Sequence, residues 1–183
     1  MNIDDTITAL INREGGYAND PADHGGETNF GISHDVAQAF GYVGQMRDMK
    51  RETAAEIYKK CYWLQPGFDK INEISPMIAE ELLDTGVNMG PSIAGKFLQR
   101  ALNVLNRQGK GALFQKLTVD GMIGEMTLRA LELFLRVRGD AGRMVLLRML
   151  NAQQSVKYIE IAENSPIQQV FEFGWQLNRV NEA

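Results

Sequence analysis

The chain has 183 residues, of which 44% are hydrophobic, and this content favours one compact globular domain. A net charge of −4 gives no general basic face and argues against nucleic-acid binding. A lone Cys61 cannot form an internal disulfide, which indicates synthesis in a reducing compartment. No apolar run approaches the length of a bilayer span, and residues 1–6 are acidic where a secretory signal would be basic. We therefore expect synthesis in the cytoplasm without a signal peptide and no stable membrane insertion.

The first predicted helix ends at an acid. Four apolar residues recur at helical spacing, namely Ile3, Ile7, Leu10 and Ile11. Glu14 is the next position on that stripe and should point inward. Gly15 and Gly16 supply a helix stop behind it, and both partial burial and the negative end of the helix dipole oppose ionisation of the carboxyl group. A carboxyl group that keeps its proton near neutral pH can act as a general acid.

A polar, glycine-rich loop follows Glu14 and contains the best strand candidates of the chain. Asp23 lies nine residues after Glu14. Other polar candidates lie in the same loop, namely Asp20, Glu27, Thr28 and Asn29. An acid at a helix end facing such a loop is the layout of a glycoside hydrolase, in which one carboxyl group protonates the leaving oxygen and a second group handles the water or the developing cation.

Four further helices are indicated between the loop and residue 105. The first is capped by Ser33 and closed by Gly41, and the second covers about 51–63. The third starts at Ser75-Pro76 and the fourth at Ser92. In the 51–63 helix Cys61 should lie in the core, and Trp63 either stacks on sugar or packs internally. Asp84 and Asn88 share a helix face, where they either bind sugar or bridge helices. His24 and His34 do not form a usual ligand set, so we expect no metal and no cofactor.

The carboxyl-terminal half begins after a polar stretch at residues 107–111, the best candidate for a boundary. Residues 119–127 resemble the turn of peptidoglycan-binding modules, although a plain turn into a helix explains them as well. A long helix should then bury an apolar stripe, namely Val145, Met149, Ala152, Val156 and Ile159. The predicted architecture is mainly helical and lysozyme-like, with a small β-hairpin or loop lobe after the first helix.

The stretch from Glu14 to Ile32, EGGYANDPADHGGETNFGI, resembles the signature of the glycoside hydrolase family 108 N-acetylmuramidases, which are phage and prophage endolysins. Later stretches are similar too, at residues 57–63, 83–90 and 173–175 and at Arg179. The resemblance implies that Glu14 is the catalytic acid. The spacing of Glu14, Asp23 and Thr28 or Asn29 also resembles the Glu, Asp and Thr set of phage-type lysozymes, in which Asp and Thr position water.

The resemblance implies a peptidoglycan hydrolase that cleaves the β-1,4 bond between N-acetylmuramic acid and N-acetylglucosamine. Its catalytic residues would be Glu14, Asp23 and Thr28. The candidate substrate-binding residues are Tyr17, Asp20, Asn29, Trp63 and Asn88. Two alternatives stay open, a lytic transglycosylase and a non-catalytic protein that binds the cell wall.

The expected organisation is a lysozyme-like catalytic region at residues 1–108 and a helical, predicted peptidoglycan-binding region at 109–183, packed on the first as one compact unit. The expected partner is the peptidoglycan glycan strand. Release to the cell wall in the periplasm would depend on a membrane-permeabilising holin, as the resemblance to phage lysis proteins implies.

Overall fold

A computed structural model describes residues 2–19, 26–107, 111–178 and 180. The chain divides into two compact units, Met1–Gln65 and Pro66–Ala183. The first unit opens with helix α1, Ile3–Glu14, which begins where the Asn2 side chain accepts a hydrogen bond from the Asp4 amide. The helix ends at Gly15, whose φ of 82° stops it as the sequence predicts.

A two-stranded antiparallel hairpin follows, formed by β1, Thr28–Asn29, and β2, Ile32–Ser33. Its two-residue turn consists of Phe30 and Gly31, with φ values of 52° and 75°. Positive φ at both positions is the feature of the tight turns that match the twist of paired strands. The hairpin predicted after the first helix is therefore confirmed.

Helix α2, His34–Phe40, is capped by the Ser33 side chain and closed by Gly41, as the sequence predicts. Helix α3, Arg51–Ile57, continues as a wider π-helical segment at Tyr58–Leu64. In that segment the Gln65 amide donates to the Lys60 carbonyl, five residues back, at 2.9 Å.

The π-helical segment changes which side chains face inward. Tyr58 and Trp63, five residues apart, are buried, whereas Cys61 is only half-buried. The prediction that Cys61 lies in the core is therefore wrong, because a helical spacing of three and four residues does not apply to a wider turn. Burial raises the pKa of the Cys61 thiol, which keeps it protonated and unreactive.

The second unit is built from helices that share one core. In chain order they are α4, Phe68–Ile74; α5, Pro76–Met89; α6, Pro91–Leu105; α7, Glu125–Asn164; a 3-10 turn, Pro166–Gln168; and α8, Gln169–Asn178. Helix α5 packs against α4, α6 and α7, and α8 packs on α7. The helix start predicted at Ser75-Pro76 is confirmed, and the helix predicted from Ser92 begins one residue earlier, at Pro91. Helix α4 was not foreseen.

Helix α7 differs from the prediction in two ways. It is bent at Gly139, whose backbone is not helical, with φ 57° and ψ −146°. Its predicted inward stripe is wrong, since Val145, Val156 and Ile159 are 41%, 54% and 44% exposed. The buried face carries other residues, namely Leu146, Leu147, Leu150, Asn151, Gln154 and Tyr158. Polar side chains occupy part of the core face, so hydrophobicity alone selects the wrong side of the helix.

The mainly helical fold with a small hairpin is confirmed. Residues 108–110, where the sequence suggests a boundary, lie outside the described residues, so the division of the chain at 108 stays a prediction. None of the helices in the described ranges is long and apolar enough to cross a membrane.

Candidate active site

Glu14 is the last residue of α1, and its side chain is 21% exposed. The Arg13 Nε atom lies 3.8 Å from Glu14 Oε1, with half of the arginine side chain exposed, so this ion pair is a weak surface contact. The carboxyl group is partly sheltered, as predicted, yet still within reach of a substrate. A group in such a position can donate a proton to a bound leaving oxygen.

Contacts from α3 hold the helix that presents Glu14. Arg51 donates hydrogen bonds to the Thr8 carbonyl at 3.2 Å and to Asn12 Oδ1 at 2.5 Å. At the other end of α1, Lys59 Nζ lies 2.9 Å from an Asp4 carboxylate oxygen. Exposed contacts therefore join α1 to α3 and to the π-helical segment that continues it, on the same side as the packing of α1 against these elements.

The hairpin turn lies directly against Glu14. A methyl group built on Gly31 would lie 2.9 Å from Glu14 Cβ and 2.8 Å from the Tyr58 hydroxyl, distances that no side chain tolerates. The Tyr58 hydroxyl donates a hydrogen bond to the Phe30 carbonyl at 2.8 Å. Glycine at position 31 thus allows the turn to approach the acid, and Tyr58 holds the turn in place.

Thr28 belongs to the same hairpin and also closes the loop before it. Its amide and carbonyl both pair with those of Ala18, at 2.9 Å each. The candidates Asp20 and Asp23 fall between these two residues in the sequence and lie outside the described residues. The structure therefore brings Thr28 into the hairpin that contacts Glu14, while the roles of all three residues stay predictions.

Two other candidates in the first unit make internal contacts. The Tyr17 hydroxyl donates to Glu27 Oε1 at 2.7 Å, and the Arg47 guanidinium lies 5.2 Å from the centre of the Tyr17 ring. Asn29 is 3% exposed and donates from Nδ2 to the Met46 carbonyl at 2.6 Å. Tyr17 thus remains near the surface as a possible sugar contact, whereas Asn29 anchors the hairpin to the segment around Met46.

Trp63 and Asn88 both make contacts inside the protein. Trp63 is only 4% exposed, so its ring packs internally and stacking on sugar would require a rearrangement. Asn88 donates from Nδ2 to the Asp84 carbonyl at 2.7 Å, one turn earlier in α5. Asp84 in turn accepts a hydrogen bond from Gln154 of α7 at 3.0 Å. Asp84 therefore bridges two helices, α5 and α7, which is one of the two roles left open for it. Sugar binding by Trp63 and Asn88 stays a prediction.

Sequence reasoning missed a buried acid, Glu81 of α5. It is 6% exposed and accepts a hydrogen bond from the Thr85 hydroxyl at 3.3 Å. Burial first, and then the charge of Asp84, raise the pKa of Glu81 to about 7, against the hydrogen bonds from Thr85 and Asn151. Its position three residues after the buried Ile78, at helical spacing, was the signal that could have found it.

Within the described ranges, no three side chains of the histidine, cysteine, aspartate or glutamate type come close enough to form a metal site. The first unit presents the partly exposed side chain of Glu14 with the Gly31 turn beside it. Proton donation to a glycosidic oxygen needs such a group.

Comparison with known proteins gives a family for each part of the chain. Residues 7–90 match the family model described as Glycosyl hydrolase 108, and residues 93–180 match the model described as Predicted Peptidoglycan domain. A solved structure of SagA from Brucella abortus is similar to the chain, with a TM-score of 0.72 and 23% sequence identity over 97% of this chain and 88% of that one. This likeness confirms the lysozyme-like fold that the sequence predicts. No curated protein matches the chain.

Proposed function

We propose that this chain, a glycoside hydrolase with a family 108 domain followed by a predicted peptidoglycan domain, cleaves the β-1,4 bond between N-acetylmuramic acid and N-acetylglucosamine. Glu14 acts as the general acid. The observation that supports this role is the approach of the Gly31 turn to Cβ and Cγ of Glu14, which covers part of the side chain while 21% of that side chain stays exposed.

Asp23 and Thr28 complete the proposed catalytic set. Asp23 orients the attacking water or stabilises the developing cation, and Thr28, in the hairpin beside Glu14, holds the water. Tyr17, Asp20 and Asn88 are the proposed contacts to the glycan strand. Asn29 and Trp63, which are 3% and 4% exposed, would reach it only after a rearrangement. As in the phage endolysins that the motif resembles, the protein is made in the cytoplasm, reaches the wall with the help of a holin, and there causes bacteriolysis.

The test of the proposed acid is Glu14→Gln, which keeps the size of the side chain and removes the proton. We expect the variant to sediment with purified peptidoglycan while turbidity clearing falls by about 100-fold or more. Arg13→Gln, which changes the neighbouring exposed charge, serves as the matched control and should clear within about threefold of wild type. Clearing by Glu14→Gln within about tenfold of wild type would assign the proton to another group.

Mass spectrometry of the released fragments separates the remaining alternatives. Hydrolysis gives a reducing N-acetylmuramic acid end that carries the mass of one added water. A 1,6-anhydro end would identify a lytic transglycosylase instead, since that reaction uses the hydroxyl group of the sugar itself. Sedimentation of the wild-type protein with intact wall, without any fragments, would identify a binding protein.

A further inference from the structure

A groove of about 460 Å³ lies on the second unit, between α6 and α7, away from every residue assigned above. Five apolar side chains form its floor and walls, namely Ile93, Phe97, Val119, Ala152 and Val156. Three cationic side chains also line it, namely Lys96, Arg100 and Lys157, and Glu160 is the single acid. Three cations against one anion is a local excess of positive charge in a chain with a net charge of −4.

Two of these cations are available to a ligand. Lys157 forms an ion pair with Glu160 at 2.9 Å, so these two charges offset each other. Lys96 and Arg100 are exposed, lie one turn apart on α6, and form no ion pair within the described residues. The pKa of the nearby Asp120 is lowered chiefly by the hydrogen bonds from Gln99 and the Met122 amide, and the charge of Lys96 contributes less.

A third feature of the groove is an unmatched acceptor. Gln153 donates from Nε2 to the carbonyls of Phe97 and Met149, both at 3.1 Å, which fixes the orientation of its amide. Its Oε1 atom is buried and has no hydrogen-bond partner among the described residues. A buried acceptor without a partner is costly, so an N–H group of a ligand would relieve that cost once the Gln153 side chain shifts to expose Oε1 to the groove.

We propose that this groove binds the stem peptide of peptidoglycan through the carboxylates of that peptide. The stem peptide carries the three features that the groove requires: carboxylates for Lys96 and Arg100, amide N–H groups for Gln153, and alanine methyl groups for the apolar walls. A glycan strand fits less well, because the groove has one aromatic ring, Phe97, and that ring is 7% exposed. A teichoic-acid phosphodiester would pair with the cations but brings no amide N–H group.

The inference rests on the proposed function in one respect, namely that peptidoglycan is the polymer to which the protein binds. It assigns recognition of the peptide to α6 and α7 and leaves cleavage of the glycan to the first unit. The peptide contains no glycosidic bond, so its binding can be measured independently of cleavage.

The test uses the full chain and the synthetic peptide L-alanyl-γ-D-glutamyl-L-lysyl-D-alanine, titrated by calorimetry or by NMR. We expect Lys96→Gln and Arg100→Gln each to raise the Kd about three- to tenfold, because each removes one charge-assisted contact. Arg136→Gln is the matched control, an exposed arginine on α7 outside the groove, and should bind within about twofold of wild type.

A second arm needs no variant. The same peptide with both carboxylates converted to carboxamides should bind wild-type protein about tenfold more weakly or worse, and should show no further loss with Lys96→Gln/Arg100→Gln. Equal binding of the two peptides, or variants that bind as wild type does, would overturn the proposal. So would binding of oligomeric glycerol phosphate or of peptide-free glycan in place of the peptide. Failure to cleave wall with peptide binding intact would count against the proposed function alone.

Discussion

Gly31 accepts no side chain, because an added methyl group meets both Glu14 and Tyr58 and the backbone φ is +75°. We predict that Gly31→Ala lowers the free energy of unfolding by about 1–3 kcal/mol and wall-clearing activity by at least about tenfold, since the turn must move away from the acid. Urea unfolding and turbidity clearing measure the two effects.

The matched control is Gly41→Ala, at a position with φ +103° and no atom within 4 Å of the added methyl group. It introduces the backbone strain without the contact, so it should destabilise by about 1 kcal/mol and leave activity unchanged. Equal activity of the two variants would show that the approach of Gly31 to Glu14 has no role in catalysis.

Glu81 makes stability depend on pH. Its pKa is 4.5 ordinarily and about 7 in the folded protein, so the folded state binds the proton more tightly than the unfolded chain does. The stabilisation is fully present below pH 4.5 and is lost as the pH rises through 7. The amount lost is at most about 3 kcal/mol.

We predict that Glu81→Gln removes this decline, so that the urea midpoint stays nearly flat between pH 4.5 and 8, apart from the contributions of other groups. Glu132→Gln, at an exposed position on α7 that does not contribute to the raised pKa of Glu81, should keep the wild-type slope. If both variants show the wild-type slope, the decline arises elsewhere.

At the scale of elements, local signals located most boundaries but chose the wrong face twice. Ser33, Gly41 and Ser75-Pro76 mark helix ends through backbone and side-chain chemistry that acts within a few residues, so the sequence alone reveals them. The face of a helix depends on distant partners. The buried face of α7 includes Asn151 and Gln154, and the Gln154 amide becomes acceptable there because Asp84 of α5 accepts its hydrogen bond.

The same limit applies to the candidate site. The end of α1 at Glu14 and the turn at Gly31 follow from helix spacing and glycine chemistry, and both were predictable. For Trp63 the sequence left sugar stacking and internal packing open, and the choice between them depends on the π-helical segment to which it belongs. Glu81 was missed because the sequence does not show which neighbours surround it, and these neighbours favour the protonated form.

The bend in α7 rests on Gly139, whose φ of 57° and ψ of −146° are accessible essentially to glycine alone. We predict that Gly139→Ala lowers the free energy of unfolding by about 1–3 kcal/mol, since the bend must be strained or straightened. Gly174→Ala in α8, where the added methyl group also meets nothing within 4 Å, should instead stabilise by up to about 1 kcal/mol. A gain in stability from Gly139→Ala would mean that the helix is straight in solution.

At the scale of the whole molecule, the boundary between the two family-matched regions falls inside the second compact unit. The match to the first family model ends at residue 90, and the match to the second begins at residue 93. Helices α5 and α6, on either side of this point, pack together in the second unit. Helix α7 contacts α4, α5 and α6, so the core of this unit draws on both regions.

We therefore predict that a chain cut by an inserted protease site between Arg107 and Gly111 keeps its two fragments associated. Size-exclusion chromatography of the cut protein should give one peak, and calorimetry should show α4 to α8 melting in a single transition. Fragments that separate without denaturant would indicate two independent domains divided at this stretch, with only weak contacts between them.

Ala18 and Thr28 pair through their backbones, so the position of the hairpin does not depend on the length of the loop between them. Nine residues lie between these two, and their ends meet whatever the intervening chain does. The entropy of closing such a loop grows slowly, by about 0.6 kcal/mol for each doubling of its length. A change in the length of this loop should therefore leave the Gly31 turn beside Glu14 while it displaces Asp20 and Asp23, the two residues of the loop with proposed roles. Substrate choice could diverge in this way without any change to the hairpin.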